Sequence, residues 1–418
     1  MNKRESRQGW HSVIASVIAI LVGMLAGGLI ILIVGLSTPS LGIKGAWEGF
    51  RLVVAGLFST GRNASGGLTF GFNSTSFGNM LFRAAPLIMI GLSVALANKS
   101  GLFNIGAPGQ YLAGTAASLY VALSVPTSSV PAWLVWLLAF IAGMAAGALW
   151  GSIPGLLKAY LNINEVIACI MTNWIAANLV TWLFESSSLR NVLEGTKQAY
   201  IYKTSTVIND VMLADGTMVQ KATRDITEGM EVVQSRGGVA TAKLGLDKLF
   251  AGSQINAGIF VAILFAVIIY IILSKTTFGY QLKACGANRY AARYAGIKDK
   301  RNIVITMAIA GALSAAGASL YYLSGNTEFF WTTYQSLPAE GFNGIPVALL
   351  ALNNPLAVPF VGLFMSMLKI NGQKLTELTA YNEYITDVII AVIVYLSAFM
   401  LAIKTLIAKI SSGKKVSK

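Results

Sequence analysis

The chain has 418 residues, of which 55% are hydrophobic and only 11% are charged. This composition is too apolar for a soluble protein with one or two cores, so we expect the lipid bilayer to be its solvent. The net charge of +14 is concentrated beside apolar stretches, where membrane proteins carry basic residues on their cytoplasmic side, and it argues against nucleic-acid binding.

The apolar segments predict about ten membrane-spanning helices. A spanning helix needs roughly 20 apolar residues, and the first segment, at 13–34, is too long for the core of a signal peptide. The predicted fold class is an all-α polytopic membrane protein with broken helices and one polar extracellular insertion. The predicted spans are 13–34, 81–98, 105–124, 131–156, 166–184, 255–273, 303–323, 342–353, 355–370 and 386–405.

Basic residues predict the orientation of these spans. The N-terminus, the segment 275–301 and the C-terminal tail are all rich in Lys and Arg, which places all three in the cytoplasm. Six predicted spans precede 275–301 and four follow it, so the number is even on both sides, as this orientation requires. The second predicted span carries Arg83 and Pro86 near its outer end.

The chain divides into a first part of the bundle at 1–184, with about five spans, a polar insertion at 185–254 and a second part of the bundle at 255–418. The insertion is balanced in charge, with eight basic and eight acidic residues, which is typical of a translocated loop. Asp215 and Gly216 lie between short alternating runs and predict a β-hairpin. Two roles remain open for the insertion, an outer cap that helps to bind a partner and a passive loop.

Residues that would carry covalent chemistry are missing. No glycine-rich phosphate loop of the type G-x-x-x-x-G-K-[ST] occurs, so ATP hydrolysis would need another chain. The single histidine, His11, excludes a histidine-based metal site, and Cys169 and Cys285 are too far apart in sequence to indicate one. Acidic residues are nearly absent from the predicted spans, which disfavours both a membrane enzyme and a proton-coupled carrier.

Two features indicate a path for a solute. The predicted eighth span is short and stops before Asn353-Asn354-Pro355, and broken helices at membrane depth occur where they are buried or line a cavity. Side-chain amides both donate and accept hydrogen bonds, which suits a neutral, hydroxyl-rich or purine-like solute. The same amides could instead join helices, a contact worth about 1 kcal/mol, so both roles stay open. The candidate path residues are Asn104, Gln110, Asn173, Glu340, Phe342 and Asn343.

The segment 275–301 predicts a short helix between two spans. Asn288 is a suitable N-cap, residues 289–295 can form two helical turns, and Gly296 suits the position after the C-cap. On local pattern alone this is either a surface helix or a helix that enters a groove of a partner.

Four segments, in this order, resemble the permeases of ATP-binding-cassette importers in the branched-chain amino acid, ribose and simple-sugar group, and most closely the nucleoside-type members. The resemblance runs from about residue 80 to the C-terminus, without 185–254. Pro108 departs from the acidic residue of one family version, and the insertion is longer than usual. The segments are PLIMIGLSVALANKSGLFNIGAPGQYLAG at 86–114, INEVIACIMTNWIA at 163–176, the loop at 277–297, and GFNGIPVALLALNNPLAV at 341–358.

The resemblance implies a function and partners. It implies a permease subunit of a bacterial inner-membrane importer for nucleosides or simple sugars, paired with an identical or related second permease and fed by an extracellular solute-binding protein. A cytoplasmic ATPase would hold ATP and magnesium, and this chain would bind no cofactor. The loop at 277–297 would supply the helix that couples to the ATPase, through Gly286, Asn288, Ala291, Ala292, Arg293 and Gly296.

The main alternative is a secondary active transporter for a neutral polar solute. It would work without a partner ATPase.

Overall fold

The computed structural model describes residues 22–38, 41–127, 129–186, 207–212, 218–223, 239–327, 329, 337–382 and 384–397. The first half contains helices α1 (Val22–Ser37), α2 (Gly42–Ala55), α3 (Ser74–Lys99), α4 (Ala107–Ser124), α5 (Ala132–Leu161) and α6 (Glu165–Ser186). The second half contains α7 (Leu246–Leu249), α8 (Gly258–Lys275), α9 (Thr277–Ala287), α10 (Arg289–Tyr294), α11 (Asp299–Tyr322), α12 (Ala339–Leu350), α13 (Val358–Leu378) and α14 (Tyr384–Ser397).

Two helices form the centre of the bundle. In the most apolar stretch of α3, 83% of the residues are buried, and in that of α11 the share is 72%. The corresponding shares are 28% in α5, 39% in α6 and 33% in α8, so these three helices present most of their apolar surface outward. Helix α11 packs on α3, α4 and α5, and α3 also packs on α8, α12 and α13. The outward apolar faces are those that lipid would cover.

Within the described residues, five helices are long and apolar enough to cross a membrane, namely α3, α5, α6, α8 and α11. Helix α12 has only 12 residues, as predicted for the short eighth span. The predicted second span begins too late, because α3 starts at Ser74, so that Arg83 and Pro86 lie well inside the helix. Residues 13–21 and 398–405 of the first and last predicted spans lie outside the described residues.

The region before α3 holds structure that the sequence analysis did not predict. Helix α2 buries Ala46, Gly49, Leu52 and Val53, an amphipathic spacing that could have identified it. It is followed by a short antiparallel pair, β1 (Ser59–Arg62) and β2 (Leu68–Phe70).

The antiparallel strand pair predicted in the insertion is confirmed. Strands β3 (Val207–Met212) and β4 (Met218–Thr223) pair antiparallel, with Met212 opposite Met218, and Asp215 and Gly216 lie outside the described residues. The end of the insertion packs on the bundle: the Thr241 amide donates to the Leu323 carbonyl at 2.7 Å, and Trp136 Nε1 donates to Thr241 Oγ1 at 3.1 Å.

A glycine seam joins α5 to α11. Gly143, Gly147 and Gly151 are buried along one face of α5, and a methyl group at Gly147 would overlap the Gly311 carbonyl and Ala315 of α11. Small residues let helix backbones approach closely in lipid, where dispersion and packing replace the hydrophobic effect. The seam therefore sets the distance between the peripheral α5 and the central α11.

Replacement of Gly147 tests this seam. Gly147→Leu should lower membrane abundance and the thermal midpoint of the purified protein, because overpacking costs typically 1–3 kcal/mol and here the clash is with backbone. Ala145→Leu is the control, since Ala145 lies exposed on the same helix. Equal abundance and equal midpoints for the two variants would contradict the proposed close packing.

Candidate translocation and coupling sites

The connection between α3 and α4 is held by a pair of side-chain amides. Asn104 Nδ2 donates to Gln110 Oε1 at 2.8 Å, and Gln110 Nε2 donates back to Asn104 Oδ1 at 3.0 Å. Asn104 also donates to Ser93 Oγ at 3.0 Å and accepts from the Gly106 amide at 3.2 Å. Both amide side chains are almost completely buried. Their hydrogen bonds are made within the chain, as expected for residues that fix a helix break.

Asn173 joins α6 to the same break. Its Oδ1 accepts from the Gly109 amide at 2.9 Å, and its Nδ2 donates to the Ile105 carbonyl at 3.0 Å. Gly109 lies in the first turn of α4, where backbone amides lack a partner within the helix. Asn173 therefore caps α4 from a neighbouring helix, and this geometry favours the interhelical role over direct contact with a solute.

Helix α12 carries the other predicted path residues, with Glu340 and Asn343 one turn apart on one face and Phe342 on another. Glu340 and Asn343 are half-buried and Phe342 is exposed. Methyl groups at Gly341 and Gly344 would overlap Pro108 and Ile90, so this side of α12 lies directly against α3 and the start of α4. The structure thus brings Asn104, Gln110 and Asn173 into one network, while the three α12 residues stand apart from it.

The predicted break after α12 is confirmed. The backbone turns at Leu352 and Asn353, both with positive φ angles of 51° and 54°, and Asn98 Nδ2 donates to Asn353 Oδ1 at 2.9 Å. Asn354 Oδ1 accepts from the Leu356 amide at 3.1 Å before α13 begins. This break is therefore tied to the end of α3.

One charged group inside the bundle was not predicted. Lys369 lies in the middle of α13, because that helix continues to Leu378 beyond the predicted span at 355–370. Lys369 is half-buried and lies in electrostatic range of Glu340 and Arg83. The apolar stretch ends near residue 370, so its length alone places Lys369 at the end of a helix. Lys369 becomes a mid-helix residue only when the polar residues after 370 are also taken as helical.

Aromatic rings lie within electrostatic range of Glu340. Tyr321 and Tyr322, at the end of α11, have ring centroids 5.1 Å apart, and the Tyr322 ring lies 6.1 Å from that of Tyr111. Phe82 stacks on Tyr321 at 5.7 Å. These rings form a compact aromatic surface beside the first turn of α12.

The predicted short helix in 275–301 is confirmed as α10. The Asn288 side chain accepts from the amides of Tyr290 and Ala291, both at 3.0 Å, and Gly296 has a φ of +81° after the C-cap residue Ala295. The N-cap and the left-handed glycine delimit the helix as the sequence indicated.

Helix α10 is attached to the start of α11 by ion pairs. Arg289 Nε and Arg293 Nη2 both donate to Asp299 Oδ2, at 2.7 and 3.1 Å. The Asp299 side chain is only 6% exposed, whereas the Arg293 side chain is 56% exposed, so the attachment has one buried and one solvent-facing side. The guanidinium of Arg293 is therefore engaged within the chain.

The exposed face of α10 differs from the one expected. Ala292 is buried, at 4% exposure, so its methyl group packs against the rest of the chain. Ala291 is exposed, and the Tyr290 and Tyr294 side chains are exposed by 83% and 98%. The surface of α10 that a partner can contact therefore includes these two tyrosines and Ala291 as well as the exposed Arg293 side chain, and the tyrosines were not among the predicted residues.

Gly286 connects the segment 275–301 to the break between α3 and α4. A methyl group at Gly286 would lie 2.5 Å from the Lys99 carbonyl oxygen and 2.9 Å from the Gly101 amide nitrogen. Gly286 is therefore required for close backbone contact within the chain. It links the end of α9 to the end of α3.

An apolar cavity of about 490 Å³ lies between α4, α5 and α6. Its walls include Tyr120, Trp150 and Leu183 and are almost entirely apolar. It offers few groups to a hydroxyl-rich solute, so we do not assign it to the path. Within the described residues, no group of three or more His, Cys, Asp or Glu side chains lies close enough together to hold a metal ion.

Replacement of Asn173 distinguishes its two roles. Asn173→Leu should lower the unfolding midpoint of the purified complex by roughly 3 °C or more, since a buried amide left without a partner costs about 1–3 kcal/mol. Asn178→Leu, at an exposed position of α6, is the control. Solute transported per ATP should stay near the original value in both variants. A loss of transport with an unchanged midpoint would instead favour contact with the solute.

Comparisons with known proteins agree with this architecture. The family described as the permease component of branched-chain amino acid transport systems matches residues 76–398. The chain is 33% identical to the nucleoside ABC transporter permease protein NupB of Lactococcus lactis, over 95% of this chain and 92% of the relative.

Two further relatives are similar over much of their length. The guanosine ABC transporter permease protein NupP of Bacillus subtilis is 31% identical over 94% of this chain and 95% of its own. The glucose ABC transporter permease protein TsgB13 of Haloferax volcanii is 30% identical over 75% and 74%. No solved structure matches the chain. With this coverage by the family and by its relatives, the chain belongs to the permease components of the branched-chain amino acid transport family.

Proposed function

We propose that this permease forms the translocation path of an ATP-binding-cassette importer for nucleosides. The observation that carries the proposal is the similarity to two nucleoside-type permeases over more than nine-tenths of each chain. The similarity to a glucose permease covers a smaller share of both chains, so simple sugars are the second candidate cargo.

The proposed complex contains this chain, a second permease that is identical or related, two cytoplasmic ATPases and an extracellular solute-binding protein. ATP and magnesium would be held by the ATPases, because the sequence lacks a phosphate-binding loop. The permease itself carries out no covalent chemistry. Its role is to bind the solute transiently and to expose the path alternately to the two sides of the membrane.

Helix α10 is proposed to contact the ATPase. The cap residues of α10 define a short element, which Arg289 and Arg293 attach to Asp299. The side chains of Tyr290 and Tyr294 are exposed on its surface. Large exposed aromatic side chains are typical anchors of protein interfaces. Movement of α10 would reach the end of α3 through Gly286, and from there the amide pair at Asn104.

The proposed orientation follows from the charge pattern. It places α10 and both termini in the cytoplasm and the insertion at 185–254 outside a bacterial inner membrane. The solute-binding protein would then approach from the side of the insertion.

Reconstitution tests the proposed function against a secondary carrier. Proteoliposomes with the complete complex and its binding protein should take up tritiated uridine only when ATP is supplied to the ATPases. Vesicles with this permease alone should hydrolyse no ATP and show no uptake under a proton gradient. Uptake by the permease alone, driven by a proton gradient, would overturn the proposal.

A substitution on the exposed face of α10 tests the contact with the ATPase. Tyr294→Asp should leave membrane abundance unchanged but weaken co-purification of the ATPase and reduce uptake at least tenfold, because an unpaired charge buried in an interface costs several kcal/mol. Ala292→Asp is unsuitable, since it would bury the carboxylate inside this chain.

Lys300→Asp is the control for that substitution. Lys300 is exposed, and its ammonium group lies over the Tyr160 ring at 5.1 Å. If Tyr294→Asp binds the ATPase and supports uptake as well as Lys300→Asp does, the exposed face of α10 does not contact the ATPase.

A further inference from the structure

Charged side chains of both signs lie within electrostatic range of Lys369, on the packed helices α3, α12, α13 and α14. Lys369 of α13 lies in electrostatic range of Glu340 of α12, Arg83 of α3 and Asp387 of α14. Two positive and two negative groups give this cluster no net charge. Ionisable residues inside a membrane bundle are costly and usually mark the path of a substrate or ion.

The cluster is only partly joined by hydrogen bonds. The Gln373 amide, with its oxygen toward Arg83, accepts from both Nη atoms at 2.9 and 3.1 Å. Among the described residues, neither the Glu340 carboxylate nor the Lys369 ammonium group has a hydrogen-bond or ion-pair partner. By contrast, Lys374 and Glu377 in the last turns of α13 form an ion pair at 2.7 Å.

The aromatic surface at the end of α11 faces the same region. Glu340 lies in electrostatic range of Tyr111, Tyr321 and Tyr322. Tyr111 is fully buried, and its hydroxyl has no hydrogen-bond partner among the described residues. A buried hydroxyl without a partner costs about 1–3 kcal/mol, so a polar group that reached it would be bound favourably. The tyrosine rings, two charged groups and the Tyr111 hydroxyl therefore lie in one region, and neither these charged groups nor this hydroxyl has a hydrogen-bond partner among the described residues.

We infer that Glu340 and Lys369 contact the transported solute directly, with the three tyrosines forming the adjacent wall. The inference rests on the proposed function, and it specifies which groups recognise the cargo. A carboxylate can accept hydrogen bonds from two neighbouring hydroxyls, such as those of ribose, and an ammonium group can donate to an acceptor on a base. Of the three rings, that of Tyr321 is only half-buried, and it offers a surface on which a planar base can stack.

The charge balance of the cluster defines the class of solute further. A site for a phosphorylated solute would need an excess of positive charge or a bidentate guanidinium, and the Arg83 guanidinium is engaged by Gln373. The balanced cluster suits an uncharged solute that carries both vicinal hydroxyls and a planar ring. This description fits a nucleoside better than a nucleotide or a sugar phosphate.

The test uses the complete importer in proteoliposomes, with tritiated uridine and tritiated 2′,3′-dideoxyuridine as probes. Glu340→Gln and Lys369→Met should each lower uridine transported per ATP by about tenfold or more, as expected for the loss of one hydrogen bond to a charged group. Membrane abundance and the ATPase rate should stay unchanged. Glu340→Gln should also reduce the preference for uridine over the dideoxy probe, and since the same binding protein delivers both, this change reports on the permease.

The matched controls carry the same substitutions in the exposed ion pair of α13. Lys374→Met and Glu377→Gln should leave transport per ATP and the preference for uridine unchanged. The inference is overturned if the test variants behave like these controls, or if transport falls only in proportion to abundance. Absence of ATP-driven uridine uptake by the original complex would instead refute the proposed nucleoside cargo.

Discussion

The constraint on which the structure depends is that backbone groups at a helix break need partners when the break is buried in an apolar bundle. The chain meets it with side-chain amides. Asn104 and Gln110 pair with each other at the break between α3 and α4, and Asn173 caps α4 from α6. Residues that could bind a polar solute are therefore used to hold three helices in register. The position of α4, and with it the position of Pro108 against α12, follows from this network.

The same break gives a physical route from the cytoplasmic segment to the bundle. The backbones at Gly286 and Gly101 lie too close together to admit a methyl group between them. Helices α9 and α10 therefore cannot shift far without moving the end of α3, whose last turns also contact Asn353 after α12. Because packed elements have few alternative arrangements, a small displacement at α10 is expected to move both breaks together.

Local features were predictable from the sequence, whereas contacts between distant segments were not. The caps of α10, the pairing of β3 with β4 and the stop after α12 depend on a few adjacent residues, and the structure confirms each. The burial of Ala292 depends on how α10 rests against the start of α11, which no local pattern encodes. The predicted span 355–370 stops beside Lys369 because the residues beyond it are polar, whereas the helix continues to Leu378.

The two charged groups proposed to contact the solute, Lys369 and Glu340, lie on helices that are held to different extents. Lys369 belongs to α13, which Ser366 and Asn371 fasten to the Met80 and Val53 carbonyls, both at 2.7 Å. Glu340 belongs to the first turn of the short α12, where the helix dipole lowers the cost of a carboxylate charge. Helix α12 ends at a left-handed turn tied to α3, so displacement of α3 by α10 would change the separation of Glu340 and Lys369. The affinity for a solute bound between Glu340 and Lys369 would then differ before and after the displacement of α3. Such a difference in affinity is required if ATP hydrolysis is to drive release of the solute.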